Sequence, residues 1–145
     1  MANKIQTQDD LSITPLFAVY GTLKHGQCNN RILSNSEYVG SNVTLSKYVL
    51  GDVGFPYLFK DVENLVPEDL LKPVVVDIFK VSDEITVQKL DALEGVPTHY
   101  ERELLQTVDG LTCWSYFNKH LSDLTRCYKC DVTENDEWVW LPSTR

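Results

Sequence analysis

The chain has 145 residues, 43% hydrophobic and 23% charged, enough for one domain with a real apolar core and unlike a disordered segment. Its formal net charge of -8, with only 13 Lys and Arg scattered along it, argues against a phosphate-backbone footprint and so against a nucleic-acid partner. No apolar run approaches the ~18 residues of a membrane span and Met1 to Ser12 is too polar for a signal peptide, so the expectation is a cytoplasmic protein without a membrane partner.

The first dozen residues read as a loose lead-in. Strand character begins at Leu16 to Tyr20 and opens directly into the turn Tyr20-Gly21-Thr22-Leu23. Backbone N–H groups of such a glycine turn can be left free to hold an anion or a carbonyl oxygen. Asn29 to Leu33 reads as a short helix, with Asn29 or Asn30 as cap and Ile32 and Leu33 turned inward. Further strands are expected around Tyr38 to Leu50, at Pro56 to Phe59 and at Val74 to Phe79, with Pro67 to Pro73 as a turn or helical loop between the last two.

Asp83 to Leu93 reads as the longer helix, capped by Ser82 or Asp83 and stopped by Gly95 and Pro97. Strands at Arg102 to Val108 and Cys113 to Phe117 flank Asp109-Gly110, a hairpin turn. The number of short strands suggests a curled sheet or small barrel. After Phe117 the pattern thins, leaving Trp138, Val139 and Trp140 as an apolar patch that packs the tail back. The division expected is a domain over 14–120 and a C-terminal extension over 121–145.

Cys28, Cys113, Cys127 and Cys130 form no dense disulfide framework, and Cys127-x-x-Cys130 lacks a second pair, so plain thiols are expected and no metal. A monomer is the default, since nothing marks a symmetric interface. In the longer helix, Val87 and Leu90 define an inward face at helical spacing, and Glu94 continues it four residues beyond Leu90. Two readings stay open for this acid: a helix-end Glu reaching solvent or a nearby Arg, or a half-buried functional carboxyl with a raised pKa.

Two motifs stand in order: Tyr20-Gly21-Thr22-Leu23-Lys24-x-Gly26-Gln27-x-Asn29-x-Arg31-x-Leu33, then Leu90-Asp91-x-Leu93-Glu94-Gly95-x-Pro97-x-x-Tyr100-x-Arg102. Together they resemble the gamma-glutamylcyclotransferase-like (AIG2-like) family, most of all its gamma-glutamylamine cyclotransferase branch, over Phe17 to Phe117. The resemblance implies an α+β fold with a small, mixed, mostly antiparallel β-barrel and flanking helices. It implies cyclisation of a small-molecule gamma-glutamyl amine to 5-oxoproline and a free amine, without metal or other cofactor.

Glu94 would be the catalytic acid, and Tyr20, Gly21, Thr22 and Leu23 the loop that holds the glutamyl end. Gly54, Phe55, Pro56, Tyr100 and Tyr116 are further substrate-binding candidates, with Arg102 read as a pocket neighbour or a structural ion-pair partner. Gly54 to Tyr57 reads equally as a tight turn. A binding or regulatory module on the same fold, and a deprotection enzyme acting on a larger amine, are the alternatives.

Overall fold

The computed structural model describes residues 7–24, 26–27, 29–53, 55–60, 66–94, 96 and 100–141. In chain order the elements are α1 (Thr7–Ile13), β1 (Leu16–Val19), a short helical turn at Asn30–Leu33, β2 (Glu37–Val43), β3 (Val49–Asp52), β4 (Pro56–Phe59) and β5 (Val75–Lys80). They continue with α2 (Glu84–Glu94), β6 (Tyr100–Gln106), β7 (Thr112–Asn118), a helical turn at Leu121–Arg126, β8 (Tyr128–Lys129), β9 (Asp131–Val132) and β10 (Trp138–Val139).

A five-stranded sheet of order β2-β5-β1-β7-β6 forms the centre. Every neighbour pair in it is antiparallel except β1 with β7, which run parallel with Phe17 opposite Trp114. The near-continuous apolar runs of β1 and β5 follow from their position, since a central strand is covered on both faces. Alternation sorts their side chains into two cores. Phe17, Val19, Phe79, Trp114 and Tyr116 pack with Val87 and Leu90 of α2 and with Leu33. Ala18, Val76, Ile78, Cys113 and Phe117 pack on the other face with Leu50, Leu58, Trp138 and Trp140.

The expected barrel is not what forms: no sheet closes. The strands that sequence pooled into one curled sheet are divided among three, the other two being β4-β3-β8 and β10-β9. The edges β2 and β6 meet only just beyond their ends, where Thr44 bridges Thr107 and Leu45 and Val108 donate to Gln106 and Val43. A barrel needs a continuous ladder with constant stagger, and one isolated bridge does not supply it.

The expected strand from Tyr38 to Leu50 is two strands in different sheets. Thr44 sits at the break, its Oγ1 donating to the Ser46 carbonyl at 2.8 Å and accepting from the Val74 N–H at 2.9 Å. The lead-in is likewise not loose, because it contains α1. Asp83 is the cap of α2, its Oδ1 accepting from the Thr86 N–H at 2.7 Å. Asp109-Gly110 is the hairpin turn between β6 and β7, with Gly110 at φ 91°, a region open to glycine.

The tail is woven into the fold rather than irregular. β8 pairs with β3, and Trp138 is 2% exposed, its backbone N–H donating to Pro73 O at 2.8 Å and its indole to Leu70 O at 2.9 Å. No described helix is long and apolar enough to cross a membrane.

Candidate active site

A cavity of about 400 Å³ opens at the end of β1, where the chain leaves the sheet. One wall is Tyr20, Gly21, Thr22 and Leu23. The turn closes on itself through the Lys24 N–H to Gly21 O at 2.9 Å, while the Asn29 N–H donates to Thr22 O at 2.9 Å. Asn29 Nδ2 reaches Thr22 Oγ1 and Asn30 Nδ2 reaches Leu23 O, each at 2.9 Å. These two asparagines therefore brace the loop instead of capping the helical turn that follows, where no side-chain cap bond forms.

Among the described residues, the backbone N–H groups of Gly21, Thr22 and Leu23 donate no hydrogen bond within the protein. Gly21 is required by contact. A Cβ there would stand 2.3 Å from Cγ of Pro56, a rigid ring at the start of β4 that lines the same cavity.

Glu94, the last residue of α2, lines the cavity beside Leu93 and is half-buried. No hydrogen bond holds its carboxyl among the described residues. Burial, with the Asp91 carboxylate as the second cause, pushes its pKa up to about 7. The Val87 and Leu90 face of α2 is fully buried while Ile85 is exposed, so the inward stripe delivers Glu94 to the wall.

Three tyrosines complete the interior. Tyr20 donates its hydroxyl to the Tyr116 carbonyl at 2.6 Å, Tyr100 donates to Pro56 O at 3.3 Å, and Tyr116 donates to Asp91 Oδ1 at 2.7 Å. Burial first, then nearby acids and phenols, raises all three phenol pKa values, so they are neutral near pH 7. Arg102 does not line the cavity; it is wholly buried behind it and pairs with Asp91 and Asp10.

Of the residues expected at the site, Tyr20, Gly21, Thr22, Leu23, Phe55, Pro56, Glu94, Tyr100 and Tyr116 meet around this one cavity. Gly54 falls outside the described residues. Phe55 stands half-exposed on the rim, its ring edge-on to Tyr57 at 5.4 Å. Asn29, expected with the segment to Asn35 on the far side of the pocket, lines the cavity, whereas the sequence reading passed over Asp91 as the carboxylate behind Glu94. Asp91 was visible as the acid three residues before Glu94, a spacing that puts both on neighbouring helix positions. Cys113, Cys127 and Cys130 are free thiols away from the cavity.

The architecture is α+β, with a cavity where β1, parallel to its neighbour β7, ends in a braced loop opposite a half-buried acid at the end of a helix. The family model for gamma-glutamyl cyclotransferase, AIG2-like, matches residues 17–139, and the chain belongs to that family. The Vibrio cholerae protein named "Putative gamma-glutamylcyclotransferase" is 36% identical over 102 residues, covering 70% of this chain and 79% of its own. A Methanocaldococcus jannaschii protein with the same descriptive name is 33% identical over 104 residues, covering 68% and 80%. Among solved structures, an AIG2-like protein of Mus musculus is similar at a TM-score of 0.65 and 20% identity, over 90% of this chain and 97% of that one, a likeness of fold.

Proposed function

We propose that the protein cleaves a gamma-glutamyl amine by intramolecular cyclisation, releasing 5-oxoproline and a free amine. The observation that carries this reading is Glu94: a half-buried carboxyl on the cavity wall, with a pKa pushed up to about 7, on the same cavity as a loop with unclaimed N–H groups. A carboxyl of that pKa exists in both forms near neutral pH, as a group that takes and returns a proton must.

In the proposed reaction, ionised Glu94 takes a proton from the substrate α-ammonium. The freed nitrogen attacks the side-chain carbonyl carbon of the same molecule, forming the ring C–N bond. As the tetrahedral centre collapses, Glu94 returns the proton to the departing nitrogen, the bond to that nitrogen breaks, and the regenerated carboxylate takes the surplus proton of the ring nitrogen and gives it to the amine, which leaves as an ammonium. Both reacting atoms belong to one molecule, so holding it in the folded conformation replaces a protein nucleophile. The N–H groups of Gly21, Thr22 and Leu23 take the α-carboxylate or the developing oxyanion. Neutral Tyr20, Tyr100 and Tyr116 wall the cavity and keep water from Glu94.

Incubation with a panel of gamma-glutamyl amines, including gamma-glutamyl-ε-lysine and larger biosynthetic amines, is expected to yield 5-oxoproline by mass spectrometry. Glu94→Gln is expected to lower kcat/KM by about 100-fold or more, since it removes the proton carrier. Binding of a gamma-glutamyl amine without any turnover would replace this reading with the binding-module alternative.

A further inference from the structure

Behind the cavity wall, two carboxyl groups converge on one cation, and a third carboxyl neighbours one of them. Arg102 is 0% exposed at its side chain, and a single nitrogen, Nη2, meets Asp10 Oδ2 at 2.7 Å and Asp91 Oδ2 at 3.3 Å. Its Nε and Nη1 have no hydrogen-bond partner among the described residues. The guanidinium carbon instead lies over the rings of Trp114 at 5.3 Å and Phe17 at 5.9 Å. Glu94 is the third carboxyl, three residues after Asp91 on α2 and therefore its neighbour on the helix surface.

Asp10 belongs to α1, which precedes the family-matched segment beginning at residue 17. Its backbone carbonyl also accepts the Trp114 indole N–H at 3.0 Å, which fixes α1 against β7. Asp10 thus stands closer than Asp91 to the one guanidinium nitrogen that the two carboxylates share.

We infer that α1 acts on the catalytic acid through this network: Asp10 draws Arg102 away from Asp91, and the under-neutralised Asp91 keeps the proton on Glu94. Asp10 and Asp91 are then positioning residues, neither touching substrate. The groups facing Glu94 are Asp91 on its own helix and the hydroxyls of Tyr20, Tyr100 and Tyr116 from the loop, β6 and β7. Arg31, on the helical turn packed against α2, is exposed, and Lys24 Nζ is held by Trp140 O at 2.9 Å. Among these described groups no cation other than Arg102 stands close enough to offset the surplus.

This inference rests on Glu94 being the proton carrier of the proposed reaction, but its test does not need turnover. Protein labelled with carbon-13 at Glu side-chain carboxyls is titrated by NMR, with Glu94→Gln identifying the resonance. Asp10→Asn, which frees Arg102 for Asp91, and Asp91→Asn, which removes the neighbouring anion, are each expected to lower the Glu94 midpoint by about half a unit or more. Asp10→Glu, which keeps the charge, retains the wild-type midpoint.

An unmoved midpoint in a folded Asp10→Asn or Asp91→Asn protein overturns the inference. So does failure of both to fold, which would make the network a structural ion pair only. Where 5-oxoproline forms, the ascending limb of the kcat/KM profile moves down by the same amount. Absence of 5-oxoproline from every substrate would instead sink the proposed function and leave the titration to decide this point.

Discussion

Glu94 ionises against its surroundings, and that makes it a stability liability as well as the proposed proton carrier. Its pKa rises from 4.5 to about 7 in the folded chain, so the folded state holds the proton more tightly than the unfolded one. The resulting stabilisation is complete below about pH 4.5 and is lost as pH rises through about 7. Glu94→Gln carries no charge at either end. Its stability relative to wild type is therefore expected to improve by roughly 1–3 kcal/mol between pH 4.5 and pH 8, read from urea unfolding at the two values. Equal differences at both pH values would mean that Glu94 titrates normally.

At this scale the site was legible to the degree that a residue type announces its task. Tyr20 to Leu23 and Glu94 could be named because glycine in a turn and an acid on an apolar helix face are each anomalous. Asp10 and Asn29 carried no such signal, since Asp in a polar lead-in and Asn near a turn are ordinary. Their importance comes from what lies opposite: Arg102 for one and Thr22 for the other.

Among the elements, those with strong local signals form as expected. α2 has a cap and an apolar stripe, its expected stop at Gly95 and Pro97 lying outside the described residues, and the β6–β7 hairpin has seven paired positions either side of Asp109-Gly110. The elements missed or misjudged are those whose stability is not local. α1 is too short to persist alone and is held by Asp10 against Arg102 and Trp114. β8, β9 and β10 are two residues each: β8 exists because β3 receives it, β10 because the core receives Trp138, and β9 because it pairs with β10. The tail is accordingly predicted to contribute to the fold and not merely to trail from it. Trp138→Ala, which empties a site 2% exposed, is expected to cost about 3–5 kcal/mol in urea unfolding. A loss under about 1 kcal/mol would show that the tail adds little.

For the whole molecule, the order of the central sheet sets where stability resides. β5 and β1 lie between β2 and β7 and are covered on both faces by the two cores, whereas β9 and β10 pair mainly with each other. Amide hydrogen exchange is expected to be slowest in β5 and β1 and to report local opening first in β9, at much lower free energy. Similar protection throughout would indicate one undivided cooperative unit.

The sequence by itself determined the strand-rich α+β class, the longer helix with Glu94 continuing its inward face, the hairpin and the pair of motifs that place the chain in its family, because each is written in local periodicity or residue chemistry. Tertiary structure alone decided that the strands split into three sheets instead of closing a barrel, since closure depends on which edges meet and with what stagger. It likewise decided that a lead-in helix sends an aspartate to the Arg102 that pairs with Asp91, the neighbour of Glu94. Burial and charge balance are properties of the surroundings, and residues 84 positions apart, Asp10 and Glu94, become part of one electrostatic cluster only when the chain has folded around Arg102.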